Sequence, residues 1–363
     1  METPLRDTFR VQQVAGMFDV PLADRLTERF SVELPEPDED WRIGLVVGPS
    51  GSGKSTVARE AFGAELYTGA DWPADQAVID AFGETAVREV VELLTAVGFS
   101  SPPSWIKPYG VLSNGEKFRC DLARALLAER RGADAEGQPA TVVFDEYTSV
   151  VDRTVAKVCS AAIAKGIRGG RIGRRFVGVT CHYDVAEWLE PDWVLDMATS
   201  RLTRRRLRRP PIEVHVHRCR LETWRLFARH HYLSGSLAPQ ARCYLATWDD
   251  EPVGFCATLP TIAQRGRRRF TRIVTLPDYQ GIGIGMRMVA AVAQLHRDEG
   301  FRVNVTSSHP ALIHHCRRSS SWRAVSVKKT GQSKSPNTVF KKYRNSAGRA
   351  VVSFEYLGTP AKD

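Results

Sequence analysis

Apolar positions recur along this chain at two periods, and their order predicts an α/β protein in two parts. Residues 43–47 form a short continuous apolar run, the pattern of a strand buried on both faces. Residues 56–62 read as helix. In 85–97, Val87, Val90, Val91 and Leu94 share one helical face, which ends at Gly98. Phe118, Leu122, Ala125 and Leu126 mark a helix over 117–130, and Ser113 and Glu116 ahead of it form a Ser-x-x-Glu capping box. Residues 141–144 and 176–180 read as further buried strands. Beyond 211 the order changes. A helix over 221–231 precedes strands at 241–247 and 253–259, joined by an Asp-Asp-Glu-Pro turn, a hairpin signal. A strand at 271–276, a helix at 286–297, a strand at 301–306 and a helix at 310–318 follow. Residues 201–211 break periodicity and end in Pro-Pro, so they read as a linker between units at 1–200 and 212–363.

Between the first strand and its helix stands Gly48-Pro49-Ser50-Gly51-Ser52-Gly53-Lys54-Ser55, the P-loop pattern in a strand–loop–helix setting. Glycines let backbone amides wrap phosphates, and the helix adds the positive end of its dipole. Gly48, Ser50, Gly51, Gly53, Lys54, Ser55 and Thr56 are thus nucleotide-binding candidates. Lys54 would reach the β- and γ-phosphates, and Ser55 would ligate Mg²⁺. The strand at 141–144 ends in Asp145-Glu146. There Asp145 would support the metal, while Glu146 would polarise an attacking water. His182, after the strand at 176–180, is a donor able to sense the γ-phosphate.

Composition adds a formal net charge of +10, with 43% hydrophobic and 25% charged residues, ordinary for a globular chain. The charge is uneven: an acidic run at 33–40 contrasts with arginine runs at 168–175, 201–209 and 265–272 and a Lys-rich stretch at 328–342. Such basicity points to a polyanionic partner such as nucleic acid, or to an arginine-rich proteome. No run approaches the ~18 apolar residues of a membrane span. The N-terminus carries no secretory signal. Seven cysteines without a Cys-x-x-Cys read as free thiols, so a cytoplasmic protein is expected. His215, His217 and Cys219 alternate on one strand face, either a metal cluster lacking a fourth ligand or simply polar surface.

In order, the P-loop, Leu112-Ser113-Asn114-Gly115-Glu116, Val142 to Glu146, Ser149-Val150-Val151-Asp152 and His182 resemble the motifs of the ATP-binding cassette (ABC) ATPases. The resemblance covers 1–200. It implies a head-to-tail homodimer in which Ser113 and Gly115 of one protomer pin the ATP held by its partner. The signature departs from the usual Leu-Ser-Gly-Gly-Gln but keeps Ser113 and Gly115. Gln76 is the Q-loop candidate, closer to Lys54 than the family places it. Phe30 is either the adenine-stacking aromatic or a core residue.

Gln280-Gly281-Ile282-Gly283-Ile284-Gly285 lies between a strand and a helix, and a hairpin precedes it. This order is similar to the Gcn5-related N-acetyltransferase (GNAT) family, whose acyl-CoA loop Gln280, Gly283 and Gly285 match. The resemblance, over 212–363, implies that the loop amides hold the acyl-CoA pyrophosphate. The family's general-acid Tyr is missing from 310–318: either His315 substitutes as acid/base, or the chemistry departs from ordinary acetyl transfer and His314 and His315 are a surface pair. The sequence His230 to Ser234 and the Ser307-Ser308-His309 stretch look like phage Mom-type DNA-modification proteins, making His231 and Tyr232 substrate-side candidates.

The fold expected is therefore α/β: an ABC-type P-loop ATPase domain followed by an α/β GNAT domain, using ATP, Mg²⁺ and acyl-CoA (acetyl-CoA). The function expected is an ATP-regulated acyltransferase acting on a nucleic-acid base, with no membrane partner. The alternatives are acetylation of a protein or small amine, and an ATP-driven scaffold whose GNAT fold has lost chemistry.

Overall fold

The computed structural model describes residues 2–4, 6–22, 25–27, 31–36, 39–67, 69–127, 139–204, 207–231, 237–261, 264–328 and 350–358. Phe30, Tyr232 and the Lys-rich stretch beyond Lys328 lie outside them. Short strands β1 (Glu2–Pro4) and β2 (Arg25–Thr27) pair on either side of α1 (Phe9–Phe18). The first unit continues as β3 (Ile43–Val47), α2 (Lys54–Phe62), β4 (Leu66–Tyr67), α3 (Val87–Ala96), α4 (Pro102–Trp105), α5 (Asn114–Leu127), β5 (Thr141–Phe144), α6 (Arg153–Arg168), β6 (Arg175–Thr180), α7 (Ala186–Leu189), β7 (Trp193–Asp196) and β8 (Arg201–Arg204). Its strands lie in the order β4-β5-β6-β3-β7-β8, parallel except for β8. In this crossed order the P-loop strand β3 sits centrally, beside β6.

The second unit holds β9 (His215–Cys219), α8 (Trp224–Phe227), β10 (Arg242–Trp248), β11 (Glu251–Pro260), β12 (Arg267–Thr275), α9 (Ile284–Asp298), β13 (Arg302–Ser307), α10 (Pro310–Arg318), β14 (Trp322–Lys328) and β15 (Val351–Tyr356). Its strand order is β14-β15-β13-β12-β11-β10-β9. Only β12 and β13 are parallel, and they pair over just Arg267–Arg302 to Arg269–Asn304. Past that point the two strands diverge and leave a cleft.

Several expectations change. Arg201 to Arg204 are not linker but β8, closing the first sheet; Arg204 pairs with Glu33 and Glu39 while Leu202 packs inward. The strand expected at 271–276 begins earlier, so Arg267 to Arg269 belong to β12. The hairpin turn is the two residues Asp249 and Asp250, at φ 50° and 63°, the primed geometry that matches strand twist. The helix of 221–231 is broken into single turns around α8, because only Trp224 and Phe227 are buried on it. Helix α5 starts at Asn114, right after Ser113, so the capping box spans its first turn: the Ser113 amide donates to Glu116 Oε2 (3.0 Å) and the Glu116 amide to Ser113 Oγ (3.3 Å). His215, His217 and Cys219 do share β9, yet among the described residues no group of three or more potential ligands could hold a metal.

The two units are joined through α6. Ala156, Cys159, Ile163 and Ile167 face the first core, whereas Val158 and Ala161 enter the second, with Ile282, Ile284 and Met288. On the same boundary, Arg119 of α5 is fully buried and sits 3.6 Å from the Asp278 carboxylate of the second unit. The glycine Gly281 (φ 91°) has no room for a side chain. A Cβ there would lie 2.7 Å from Gly98 Cα and 2.8 Å from Ala162 Cβ. Neither neighbour can rotate away, so Gly281→Ala is expected to lower stability by about 3 kcal/mol. In calorimetry, the single unfolding transition is expected to split as the units part.

Candidate functional site

The first glycine loop ends β3 and begins α2. Gly51 (φ 78°) and Gly53 (φ 82°) take left-handed backbone, which turns successive amides into one concavity. Lys54 Nζ lies across the loop and donates to Pro49 O (2.7 Å). At the end of β5, Asp145 Oδ1 accepts from Ser55 Oγ (3.0 Å) and from the Glu146 amide (2.9 Å). Hydroxyl and carboxylate oxygens side by side, next to a lysine and an amide cradle, are the donor set that Mg²⁺ and a nucleoside triphosphate require. Glu146 adopts φ 52°, and Ser149 Oγ donates to its Oε2 (2.6 Å), so the carboxylate is oriented. A cavity of about 610 Å³ flanks the acidic pair, with Tyr67, Trp72 and Tyr109 among its walls.

His182 follows β6, its Nδ1 3.4 Å from Thr148 Oγ1 and 3.5 Å from Thr180 Oγ1. Burial, then the Arg153 charge, keeps it below the usual histidine range, so it is neutral near pH 7. Gln76 is exposed and is not on the cavity wall, where residues 69–72 stand instead. Ser113 is exposed at the start of α5 and donates to Glu116 Oε2 (3.1 Å). Burial works to raise Glu116, but hydrogen bonds from Ser104 and Ser113 outweigh it and hold the carboxyl low. Among the described residues no hydrogen bond links Ser113 or Gly115 to Lys54 or Ser55. Gly115 instead leaves space for Arg119, whose Nη1 would lie 3.3 Å from a Cβ there.

The second glycine loop follows β12. Gln280 Nε2 donates back to Thr275 O (2.9 Å), and Gly283 (φ 101°) caps α9. Gly285 abuts Thr275, whose Oγ1 would be 2.6 Å from a Cβ. Ile282 and Ile284 are buried and anchor the loop in the second core. The loop stands at the mouth of the β12–β13 cleft, and so does His309 at the head of α10. A residue of the other unit joins them. The Ser100 amide donates to Gln280 Oε1 (2.7 Å), and the Ser100 carbonyl is 3.3 Å from His309 Nε2, which must therefore carry the proton. Lys165 of α6 donates to Gly281 O (3.4 Å).

His315 is exposed on α10. Atoms packed around its ring still desolvate it in part and lower it, followed by the charges of Lys165 and His314, so its surroundings include the α6 lysine. His231 packs against Trp224 (centroids 5.7 Å apart), on the other face of the sheet from α9. Sequence reasoning missed Ser100, Lys165 and the Arg119–Asp278 pair. A visible signal existed only for Lys165, the one charged position between Thr154 and Gly166 facing out of a buried helix besides Lys157.

The sequence profile of the acetyltransferase (GNAT) domain matches residues 239–317. The C-terminal unit is a GNAT domain. Solved structures similar in part include an IAA acetyltransferase from Bacillus cereus, at 16% identity over 40% of this chain and 99% of that one (TM-score 0.31). Another is the Bacillus subtilis acetyltransferase in complex with CoA, at 12% identity over 40% and 98% (TM-score 0.31). A bacterial ABC transporter cassette solved as a dimer is similar at 16% identity over 43% and 80% (TM-score 0.33). Each likeness spans less than half of this chain. No curated protein sequence matches this chain. The unit before the GNAT domain is a mostly parallel sheet whose central strand β3 ends in the P-loop. Among the described residues no helix is long and apolar enough to cross a membrane.

Burial also holds His309 below the usual histidine range, with the Ser100 hydrogen bond only partly opposing it. It is neutral in the fold, while the unfolded chain takes up its proton near pH 6.5. Stability is thus expected to be level above that pH and to fall as pH drops below it. Melting temperatures from pH 8 to 5.5 should decline, and less steeply in His309→Gln.

Proposed function

We propose that this chain transfers an acyl group from acyl-CoA to a nucleic-acid base, and that ATP on the cassette sets access to the acyl-CoA cleft. The observation that supports this reading most directly is Ser100. One cassette residue spans from the glycine loop to α10 across the mouth of the GNAT cleft, so acyl-CoA use and cassette position are physically linked.

Lys54 and the amides after Gly51 would hold the nucleotide phosphates, with Ser55 and Asp145 on Mg²⁺. Bound ATP·Mg²⁺ supplies a hydrolysable phosphoanhydride whose presence a dimer can sense. Glu146, fixed by Ser149, orients the attacking water and accepts its proton. His182, neutral and seated among threonines, donates toward the reacting phosphate. Two elements run from this centre to the GNAT loop. Helix α6 is capped by Asp152 Oδ1 on the Val155 amide (2.9 Å), and its 16 residues form a rod of about 24 Å that reaches Gly281. Helix α5 begins at the signature residues Ser113 and Gly115 and carries Arg119 to Asp278. Head-to-tail pairing around ATP would pull on both.

In the GNAT domain, the amides of Ile282 to Met286 would hold the acyl-CoA pyrophosphate, and the thioester would supply the activated acyl group. The acceptor face of the sheet is basic. Arg267 and Arg269 register with Arg302 and Asn304, opposite in facing to Arg268, which is buried toward α9. Arg323 lies on that same face across from Glu355. Four guanidiniums around one carboxylate favour a polyanionic acceptor.

Calorimetry with acetyl-CoA tests the coupling. Affinity is expected to rise at least about tenfold in Glu146→Gln saturated with ATP, relative to the nucleotide-free chain. Equal affinity would remove the gate, and no binding in either state would remove the acyl-CoA reading. Independently, binding to a DNA or RNA oligonucleotide is expected to weaken steeply with salt. Arg267→Ala with Arg269→Ala should reduce that slope by about two. Binding that ignores salt and both arginines would overturn the acceptor assignment.

A further inference from the structure

Beside the GNAT loop lies a cavity of about 750 Å³ that neither unit encloses alone. Ile282, Ile284 and Arg287 form one wall, and the connecting residues Arg208 to Val214, with Glu190 after α7, form the other. Its floor is apolar: Ile282 and Ile284 are buried, and Ile212 and Val214 pack on the same core. Its polar equipment is cationic. Arg208, Arg209 and Arg287 line it, and Lys165 adjoins it on Gly281 O. The single carboxylate there, Glu190, is 3.5 Å from the Arg209 backbone amide. Among the described residues, none of the three guanidiniums forms a salt bridge. Burial, then the charges of Arg171, Arg209 and Arg287, bring Lys165 down to about 8, a sign of how crowded the positive charge is.

An apolar floor rimmed by guanidiniums has the chemistry of a receptor for a phosphorylated nucleoside. Flat apolar walls take the base, and forked donors take phosphate oxygens. We infer that this cavity holds the phosphorylated adenosine end of acyl-CoA, with Arg208, Arg209 and Arg287 as its phosphate ligands. The inference rests on the acyl-CoA reading above and extends it to residues outside the GNAT domain. Ile282 and Ile284 belong at once to the loop and to the cavity wall. A ligand whose pyrophosphate lay on the loop amides would therefore reach the cavity with its nucleoside. Two of the three arginines come from the connector, so a GNAT domain cut free of the cassette would lack most of the site. The arginines make the site a selector for the 3′-phosphate that distinguishes CoA from dephospho-CoA.

The test titrates the full chain with CoA, dephospho-CoA and adenosine 3′,5′-bisphosphate. Each titration is repeated in ATP-saturated Glu146→Gln so that a closed cleft mouth cannot mask binding. CoA is expected to bind about tenfold or more tightly than dephospho-CoA. In Arg208→Ala/Arg209→Ala, and separately in Arg287→Ala, that ratio should shrink to under about threefold, with dephospho-CoA affinity nearly unchanged. Using both walls keeps the result readable if one variant fails to fold, which melting curves report. Equal binding of CoA and dephospho-CoA by the wild-type chain, or a ratio that survives both variants, overturns the assignment. If no CoA species binds but adenosine 3′,5′-bisphosphate does, in an arginine-dependent way, the acyl-CoA reading fails and the cavity stands as a site for a free nucleotide. If neither binds, the cavity assignment falls as well.

Discussion

Everything in this molecule hangs on one helix having two cores to serve. An amphipathic helix normally buries one stripe and wets the rest. Helix α6 has no such freedom, because Ala156, Cys159 and Ile163 fill the first core while Val158 and Ala161 fill the second. That demand explains its composition. Alanines, Ser160 and Gly166 let neighbouring backbones come close on all sides. Ser160 remains compatible with burial because its hydroxyl donates to Ala156 O (2.7 Å) and lies 2.8 Å from Tyr147 Oη. A larger residue on either face would have to displace a whole unit. The relative placement of the two glycine loops is therefore a property of close packing, and packed interiors switch between discrete arrangements rather than deforming smoothly.

Each unit carries a loop of the same physical design, a strand end, left-handed glycines and a helix start, and the second packs against α6 at Ala162 and Lys165. Convergence on that design follows from the ligand class, since phosphates are best met by amides that no side chain obstructs. The partners differ. The first loop is completed by hard oxygen donors, Ser55 and Asp145, whereas the second is met by backbone and a lysine from the neighbouring unit.

The parts legible in the sequence were those whose physics is local. The P-loop, the capping box of Ser113 and Glu116, and the acidic end of β5 each follow from residue type at fixed spacing, and α10 falls where its pattern put it. Strand β8 was hidden because an exposed edge strand alternates only weakly, and its arginines mimic a tether. The start of β12 was hidden for another reason: it is an inner strand, yet Arg268 points inward to Thr258 between the outward Arg267 and Arg269, so three consecutive arginines show no alternation. The contact between units was illegible for a deeper reason. Ser100 acts through its amide and carbonyl, and Gly98 and Gly281 act by lacking side chains. Backbone and empty space leave no side-chain signature to read.

The connector between β8 and β9 has a kinetic meaning beyond the cavity it lines. Pro210 and Pro211 stiffen a short path, and Ile212 and Val214 pin its far end to the GNAT core. A tether of that kind presents the GNAT loop to the first unit at a high effective concentration, so under the proposed gating re-docking would be unimolecular whatever the protein's abundance. The interface could then be individually weak and still refill promptly after each opening. Such an arrangement would behave as a self-resetting latch, with the tether setting how fast it closes and the contact strength setting how easily it opens.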